Sequence, residues 1–282
     1  MMEQKQSGRA QVKLIALDLD GTLLNNKKEI SNTNLSVLNK ALEKGIYIVP
    51  ATGRPRSGIP KELTDNHKIS YTICSNGASI INIKTNEVIY YCELTKEKII
   101  PIINTLNPID PILDIFTDGK IISEKRNFHR IDEFLIPHNM KKYIYDTRIW
   151  VDNIEDYVNK EAKHIEKINL FFKDIAQREK VQKELSKIGD IAITSSLNNN
   201  MEVNNKKANK GEALLWLSKY LKLSREEVMA CGDSSNDLDM IKAAGIGIAM
   251  GNSKEEIKFV ADYICTSNEE DGVAEAIEKY AL

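Results

Sequence analysis

Cysteine and histidine are scarce in this chain, and neither arrangement suits a metal or a bridge. Four cysteines, Cys74, Cys92, Cys231 and Cys265, stand far apart and form no C-x-x-C pair. The histidines, at 67, 129, 138 and 164, add no partner spacing. Zinc modules and disulfide frameworks are thereby excluded, and the thiols are expected to be reduced and mostly buried. An excess of one charge is also missing. With 39 basic and 41 acidic residues the net charge is −2, which gives no electrostatic case for nucleic acid or an anionic membrane as partner. No apolar run approaches the ~20 residues that a membrane helix needs. The opening MMEQKQSGRAQ has no signal-peptide core and is expected to be a frayed leader on a cytoplasmic protein.

What is present is the composition of an ordinary globular protein, 42% hydrophobic and 28% charged over 282 residues, long enough for one large domain or two smaller ones. VKLIAL (12–17) reads as a buried strand running into the turn DLDG. Leu35, Leu38, Ala41 and Leu42 fall on one helical face, with caps available at Ser31 to Thr33 and a stop at Gly45. IYIVPATGR (46–54) and YTICSNGA (71–78) are further strands ending in polar glycine turns. The alternation returns after Lys210-Gly211: a helix through Leu214 and Leu217, a capping box at Ser224 and Glu227, the strand VMACGD (228–233), and then IGIAM and YIC between helices. Short apolar strands alternating with helices predict an α/β fold, a Rossmann-like doubly wound parallel sheet.

The middle of the chain differs. SIINIKTNEVIYYCEL and ILDIFTDGKIISE look like hairpins, and 155–165 and 175–187 like amphipathic stretches. This predicts a discontinuous core domain, 12–82 and 192–282, interrupted by an inserted α+β domain over 83–191.

Ligands bind at the carboxyl ends of strands in an open parallel sheet. Four polar turns collect there: Asp18-Leu19-Asp20-Gly21-Thr22, Thr52-Gly53-Arg54, Ser75-Asn76-Gly77, and Gly232 to Asp237, with Lys210 opening a helix that feeds the last. Carboxylates, hydroxyls, an amide and a lysine, without thiol or imidazole, suit Mg²⁺ and a phosphate. An ion between Asp18 and Asp233 would offset the cost of burying like charges. Asp18 is then a candidate nucleophile and Asp20 a candidate acid/base, with Thr52, the Gly53 amide and Lys210 on the phosphoryl oxygens.

In this order the motifs resemble those of the haloacid dehalogenase superfamily: DLDGTLL for the first, Thr52 of PATGR for the second, Lys210 for the third and GDSSND for the fourth. PATGRP, SNGA and NKGEAL resemble more narrowly its Cof-type branch (subfamily IIB), which carries a C2 cap. The resemblance spans residues 12–282 and is strong in the core and weak across the cap. It implies a Mg²⁺-dependent phosphatase acting on small phosphorylated metabolites, sugar phosphates by default, through an aspartyl-phosphate. It implies a metal held by the Asp18 and Asp233 carboxylates and the Asp20 carbonyl. Asn236 would lie near the phosphate, and Asp237 would support the ion or Lys210. The protein is expected to be a monomer or small homo-oligomer.

Each motif alone is weak, because Asp and Gly populate turns for local reasons and GDSSND would serve equally as a helix cap. Their joint occurrence at strand and helix ends is what is specific. Arg54 and Arg56 stay open between substrate contact and a solvated surface role, and Asn76 reads as structural. A phosphomutase shares these motifs. A phospho-acceptor signalling module or a non-catalytic binder is disfavoured by Asp20 and by the intact set of polar groups.

Overall fold

The computed structural model describes residues 10–134, 136, 138–195 and 198–282, without the side chains of 139 and 140; the polar leader at 1–9 lies outside them. The chain divides into two compact units. One comprises the chain up to Gly53, Pro60–Tyr90 and Asn209–Leu282, and the other Arg54–Ile59 with Tyr91–Ala208.

The first unit begins with β1 (Leu14–Leu17), whose four residues are all fully buried, as expected for a parallel strand covered on both faces. Helix α1 (Asn32–Glu43) starts where the Ser31 hydroxyl accepts from the Asn34 amide at 3.0 Å. It buries Val37, Leu38, Ala41 and Leu42 and ends before Gly45. β2 (Tyr47–Pro50), the short α2 (Lys61–Thr64), β3 (Tyr71–Cys74), β4 (Ser79–Asn82) and β5 (Glu87–Tyr91) follow.

The second unit contains α3 (Lys96–Leu106), β6 (Ile112–Thr117), β7 (Lys120–Glu124), α4 (Lys125–Phe128), α5 (His138–Thr147), β8 (Arg148–Val151), α6 (Ile154–Lys160), β9 (Ile165–Phe171), α7 (Ile175–Leu185), β10 (Ile191–Thr194) and β11 (Asn200–Asn205). The chain then returns to the first unit with α8 (Lys210–Tyr220), β12 (Val228–Gly232), α9 (Leu238–Ala243), β13 (Ile246–Ala249), α10 (Glu255–Val260), β14 (Tyr263–Ile264) and α11 (Gly272–Tyr280).

In the first unit the strand order is β14-β13-β12-β1-β2, and every neighbouring pair is parallel. A bridge from Ala51 to Ile73 links this sheet to the group β3-β4-β5. Leu14, Ala16, Val49 and Ala230 pack with Ala213, Leu214 and Leu217 of α8, so the parallel α/β core is as expected. The second unit is a six-stranded sheet, β10-β11-β9-β6-β7-β8, parallel only between β7 and β8. The expected hairpin at 112–124 turns through Asp118 and Gly119, both at positive φ, the conformation a two-residue I′ turn requires. Residues 155–165 do not form one helix: α6 stops at Lys160, and Ile165 opens the fully buried strand β9. Among the described residues no helix is long and apolar enough to cross a membrane.

Candidate active site

Parallel register assembles the site. Leu17, the last residue of β1, lies beside Cys231 of β12 and Pro50 of β2. The Asp18 amide donates to the Cys231 carbonyl (3.0 Å), the Ala51 amide to Leu17 (2.7 Å) and the Thr52 amide to Ile73 (2.9 Å). Asp18, Asp233 and Thr52-Gly53 therefore leave adjacent strands at the same, carboxyl end. Two glycines let the turns close. Gly21 has φ +91, and a Cβ there would lie 2.6 Å from an Asp233 oxygen. Gly77 has φ +90 and faces the Asn209 carbonyl, which a Cβ would meet at 2.1 Å. Glycine at 77 thus lets the start of α8 approach the end of β3.

That approach delivers Lys210, the first residue of α8, whose Asn209 cap accepts from the Glu212 amide. The Lys210 ammonium is completely buried and donates to Asp18 Oδ1 and Asp237 Oδ1, both at 2.6 Å. Asp237 uses its other oxygen to accept from the Asp233 and Ser234 amides, each at 3.0 Å. It thereby fastens the GDSSND loop to Lys210. Asp233 accepts from the Thr22 hydroxyl (3.1 Å) and the Ser234 hydroxyl (2.9 Å).

Oxygens of Asp18, Asp233 and Asp237 lie within 4.8 Å of one another. Burial and the Asp237 charge push the Asp18 carboxyl up to about 8, in spite of Lys210. Burial, then Asp237, also raises Asp233. Burial opposes the charge on Lys210, but Asp18 and Asp237 outweigh it and hold the ammonium above its ordinary value. Three carboxylates thus share one cation, and the cluster is short of positive charge.

Of the other expected residues, Thr52 is buried and its carbonyl accepts from the Asn76 amide at 3.0 Å. Asn236 donates to the Asn76 side chain at 3.1 Å, and a Cβ on Gly53 would lie 2.8 Å from that same Asn76 oxygen. Thr52, Gly53 and Asn236 are therefore neighbours through Asn76, a residue sequence reasoning assigned to the scaffold. The Asp20 carboxylate is not one of the three clustered groups; it accepts from Lys28 at 2.7 Å. Thr22 and Lys28 were given no role from sequence. Thr22 lies inside the DLDGT motif, whereas nothing local marks Lys28.

Residues 15–277 match the haloacid dehalogenase-like hydrolase family. The chain is 34% identical over 277 residues to a Bacillus subtilis (strain 168) 5-amino-6-(5-phospho-D-ribitylamino)uracil phosphatase, YcsE, with 96% of each chain covered. A solved haloacid dehalogenase-like hydrolase from Bacteroides thetaiotaomicron superposes with a TM-score of 0.83 at 33% identity, over 95% of this chain and 99% of that one. A solved sugar phosphatase of HAD subclass IIB gives 0.76 at 25% identity, over 95% and 99%. The chain belongs to the haloacid dehalogenase-like hydrolases and is a Cof-type phosphatase that acts on phosphorylated substrates.

Proposed function

We propose that the protein hydrolyses phosphate monoesters of small polyhydroxylated metabolites through an aspartyl-phosphate on Asp18. The observation that carries this reading is the buried Lys210 ammonium, 2.6 Å from Asp18 at the end of β1. It leaves the second Asp18 oxygen for attack while balancing part of the local charge. The substrate class is inferred from the relatives, one named for a phospho-ribityl compound and one for sugar phosphates. The second unit is assigned as the substrate-selecting cap of the C2 type.

An all-oxygen donor set with surplus negative charge fits Mg²⁺. The Asp18 and Asp233 carboxylates and the Asp20 carbonyl would hold it, and when bound it would neutralise charge on the phosphoryl oxygens. In the first half-reaction an Asp18 oxygen bonds to phosphorus as the ester P–O bond breaks. The Asp20 carboxyl gives its proton to the departing oxygen. In the second, Asp20 takes a proton from water as the water oxygen attacks phosphorus, releasing inorganic phosphate and the Asp18 carboxylate. Thr52, the Gly53 amide, Lys210 and Asn236 hold the phosphoryl oxygens, and Asp237 keeps Lys210 and the Asp233 loop in register.

The test is acid-quench trapping with a phosphate-labelled substrate and Mg²⁺. A hydroxylamine-labile label on the wild-type chain, absent from Asp18→Asn together with turnover, is the expected result. Turnover persisting in Asp18→Asn would refute the mechanism, and a screen ranking phosphorylated nucleotides above sugars and polyols would refute the substrate class.

A further inference from the structure

We propose that Asn76 is a positioning residue for phosphate binding: its side-chain oxygen holds the Asn236 amide in the orientation that offers a hydrogen to a phosphoryl oxygen. This rests on the assignment of Asn236 to the phosphoryl group. Asn236 Nδ2 donates to Asn76 Oδ1 at 3.1 Å, and Asn236 is an exposed residue. The last torsion of an asparagine is broad unless a partner fixes it. The amide is planar and its nitrogen carries two hydrogens, so with one on Asn76 the direction of the other is set.

The Asn76 oxygen is itself seated by backbone. A Cβ on Gly53 would lie 2.8 Å from it, so a side chain at 53 would push it from its place. The Asn76 amide donates to the Thr52 carbonyl at 3.0 Å, and the Thr52 amide donates to the Ile73 carbonyl at 2.9 Å. Residues 73–76 thereby grip Thr52 from both sides. The backbone that does this is unusual. Ser75, Asn76 and Gly77 have φ of +52, +58 and +90, three successive residues in the left-handed region. Ser75 is also fully buried. A serine there is strained, and such strain persists where surrounding structure over-determines it, above all at functional sites. The left-handed turn delivers the Asn76 amide to Thr52 and its side-chain oxygen to Asn236 and Gly53 together. Gly77 then faces the Asn209 carbonyl, one residue before Lys210. One short segment thus meets the turns that carry Thr52, Lys210 and Asn236, the groups assigned to the phosphoryl oxygens.

Glycine accepts left-handed backbone and alanine resists it. Asn76→Gly therefore deletes the side chain alone, whereas Asn76→Ala deletes it and adds strain. Both variants are measured with Mg²⁺ for kcat/KM on 4-nitrophenyl phosphate and for competitive inhibition by inorganic phosphate. Each is expected to lose roughly tenfold in kcat/KM and to weaken phosphate inhibition about threefold or more, a part of what deleting a whole donor costs. The two should lose equally, although Asn76→Ala should melt about 2–4 °C below Asn76→Gly. Losses that follow the melting temperature, or no loss in either readout, overturn the proposal. In an Asn236→Ala background Asn76→Gly should cost less than about twofold more, and its full loss there would equally overturn it. Asn236→Ala alone is the control. If it weakens both readouts and Asn76→Gly neither, the positioning role fails and the assignment of Asn236 stands. If Asn236→Ala weakens neither, the assignment of Asn236 to the phosphoryl group itself fails.

Discussion

Replacing Lys210 with methionine keeps the aliphatic stem and deletes the charge at the centre of the site. At an effective dielectric of about 20, each 2.6 Å contact to Asp18 and Asp237 is worth roughly 6 kcal/mol before desolvation. Burying the ammonium offsets several kcal/mol of that sum. The variant, however, keeps the buried carboxylates and loses their cation, and breaking a buried pair from one side costs about 3–5 kcal/mol. The loss has a definite pH dependence. Asp18 already sits at about 8 in the folded protein against an ordinary 3.8, and Lys210 is what restrains it from rising further. A carboxyl whose folded pKa exceeds its unfolded value penalises the fold increasingly as pH climbs from the unfolded value toward the folded one. The deficit of Lys210→Met against wild type should therefore be larger at pH 9 than at pH 6, because below about 8 Asp18 is protonated in both folded proteins and above it only the wild-type carboxylate has a cation beside it. Urea unfolding in EDTA, followed by Trp216 of α8 in a Trp150→Phe background, measures this for the core unit. A loss below about 1 kcal/mol, or an equal loss at both pH values, would show that Lys210 does not neutralise this cluster.

Two further outcomes follow from the same accounting. Mg²⁺ at about 100 times its Kd should stabilise the metal-free protein by about 2.7 kcal/mol, or roughly 5–10 °C in melting temperature for a chain of this length. The shift should be larger at pH 8 than at pH 5, because below about 8 the ion must displace a proton from Asp18; an equal shift in Asp18→Asn would locate the ion elsewhere. In the second unit, Arg148 Nε and Nη2 donate to Asp114 Oδ2 at 3.2 and 2.7 Å, with side chains only 3% and 1% exposed. Arg148→Met should cost about 3–5 kcal/mol by unfolding followed at Trp150, and the added change Asp114→Leu should restore most of it; no recovery would mean that packing, not the stranded carboxylate, causes the loss.

The placement of the candidate residues in the core unit was legible because each of them is punctuation. Asp18, Thr52, Asp233 and Lys210 all end a strand or open a helix, and local sequence signals mark such ends. The second unit was harder to read for a physical reason. Strand β9 is buried along its whole length, yet its sequence, IEKINLF, carries Glu166, Lys167 and Asn169. Lys167 meets Glu202 of β11 at 3.0 Å, and Asn200 of β11 donates to Asn169 at 3.2 Å. Polar groups that satisfy one another across strands break the apolar pattern in both, and no window along the chain contains both partners. For the same reason β11, NMEVNN over Asn200–Asn205, carries no apolar strand signal of its own.

That nonlocality also bears on the two aspartates of DLDG. Residues two apart in a turn look like one acidic feature needing one counterion. In the fold they have separate ones: Asp18 has Lys210, 192 positions away on a buried helix start, and Asp20 has Lys28, 8 positions away on a half-exposed turn. A shared cation would couple their charges, so that any change at one would retune the other. Separate cations would let the two carboxylates divide the proposed roles, Asp18 as buried nucleophile and Asp20 as proton carrier nearer solvent. If so, removing either lysine should leave the other aspartate's contribution to turnover intact, and the Lys28 and Lys210 variants should add in free energy. Strong coupling between them would mean that the two carboxylates work from one electrostatic pool.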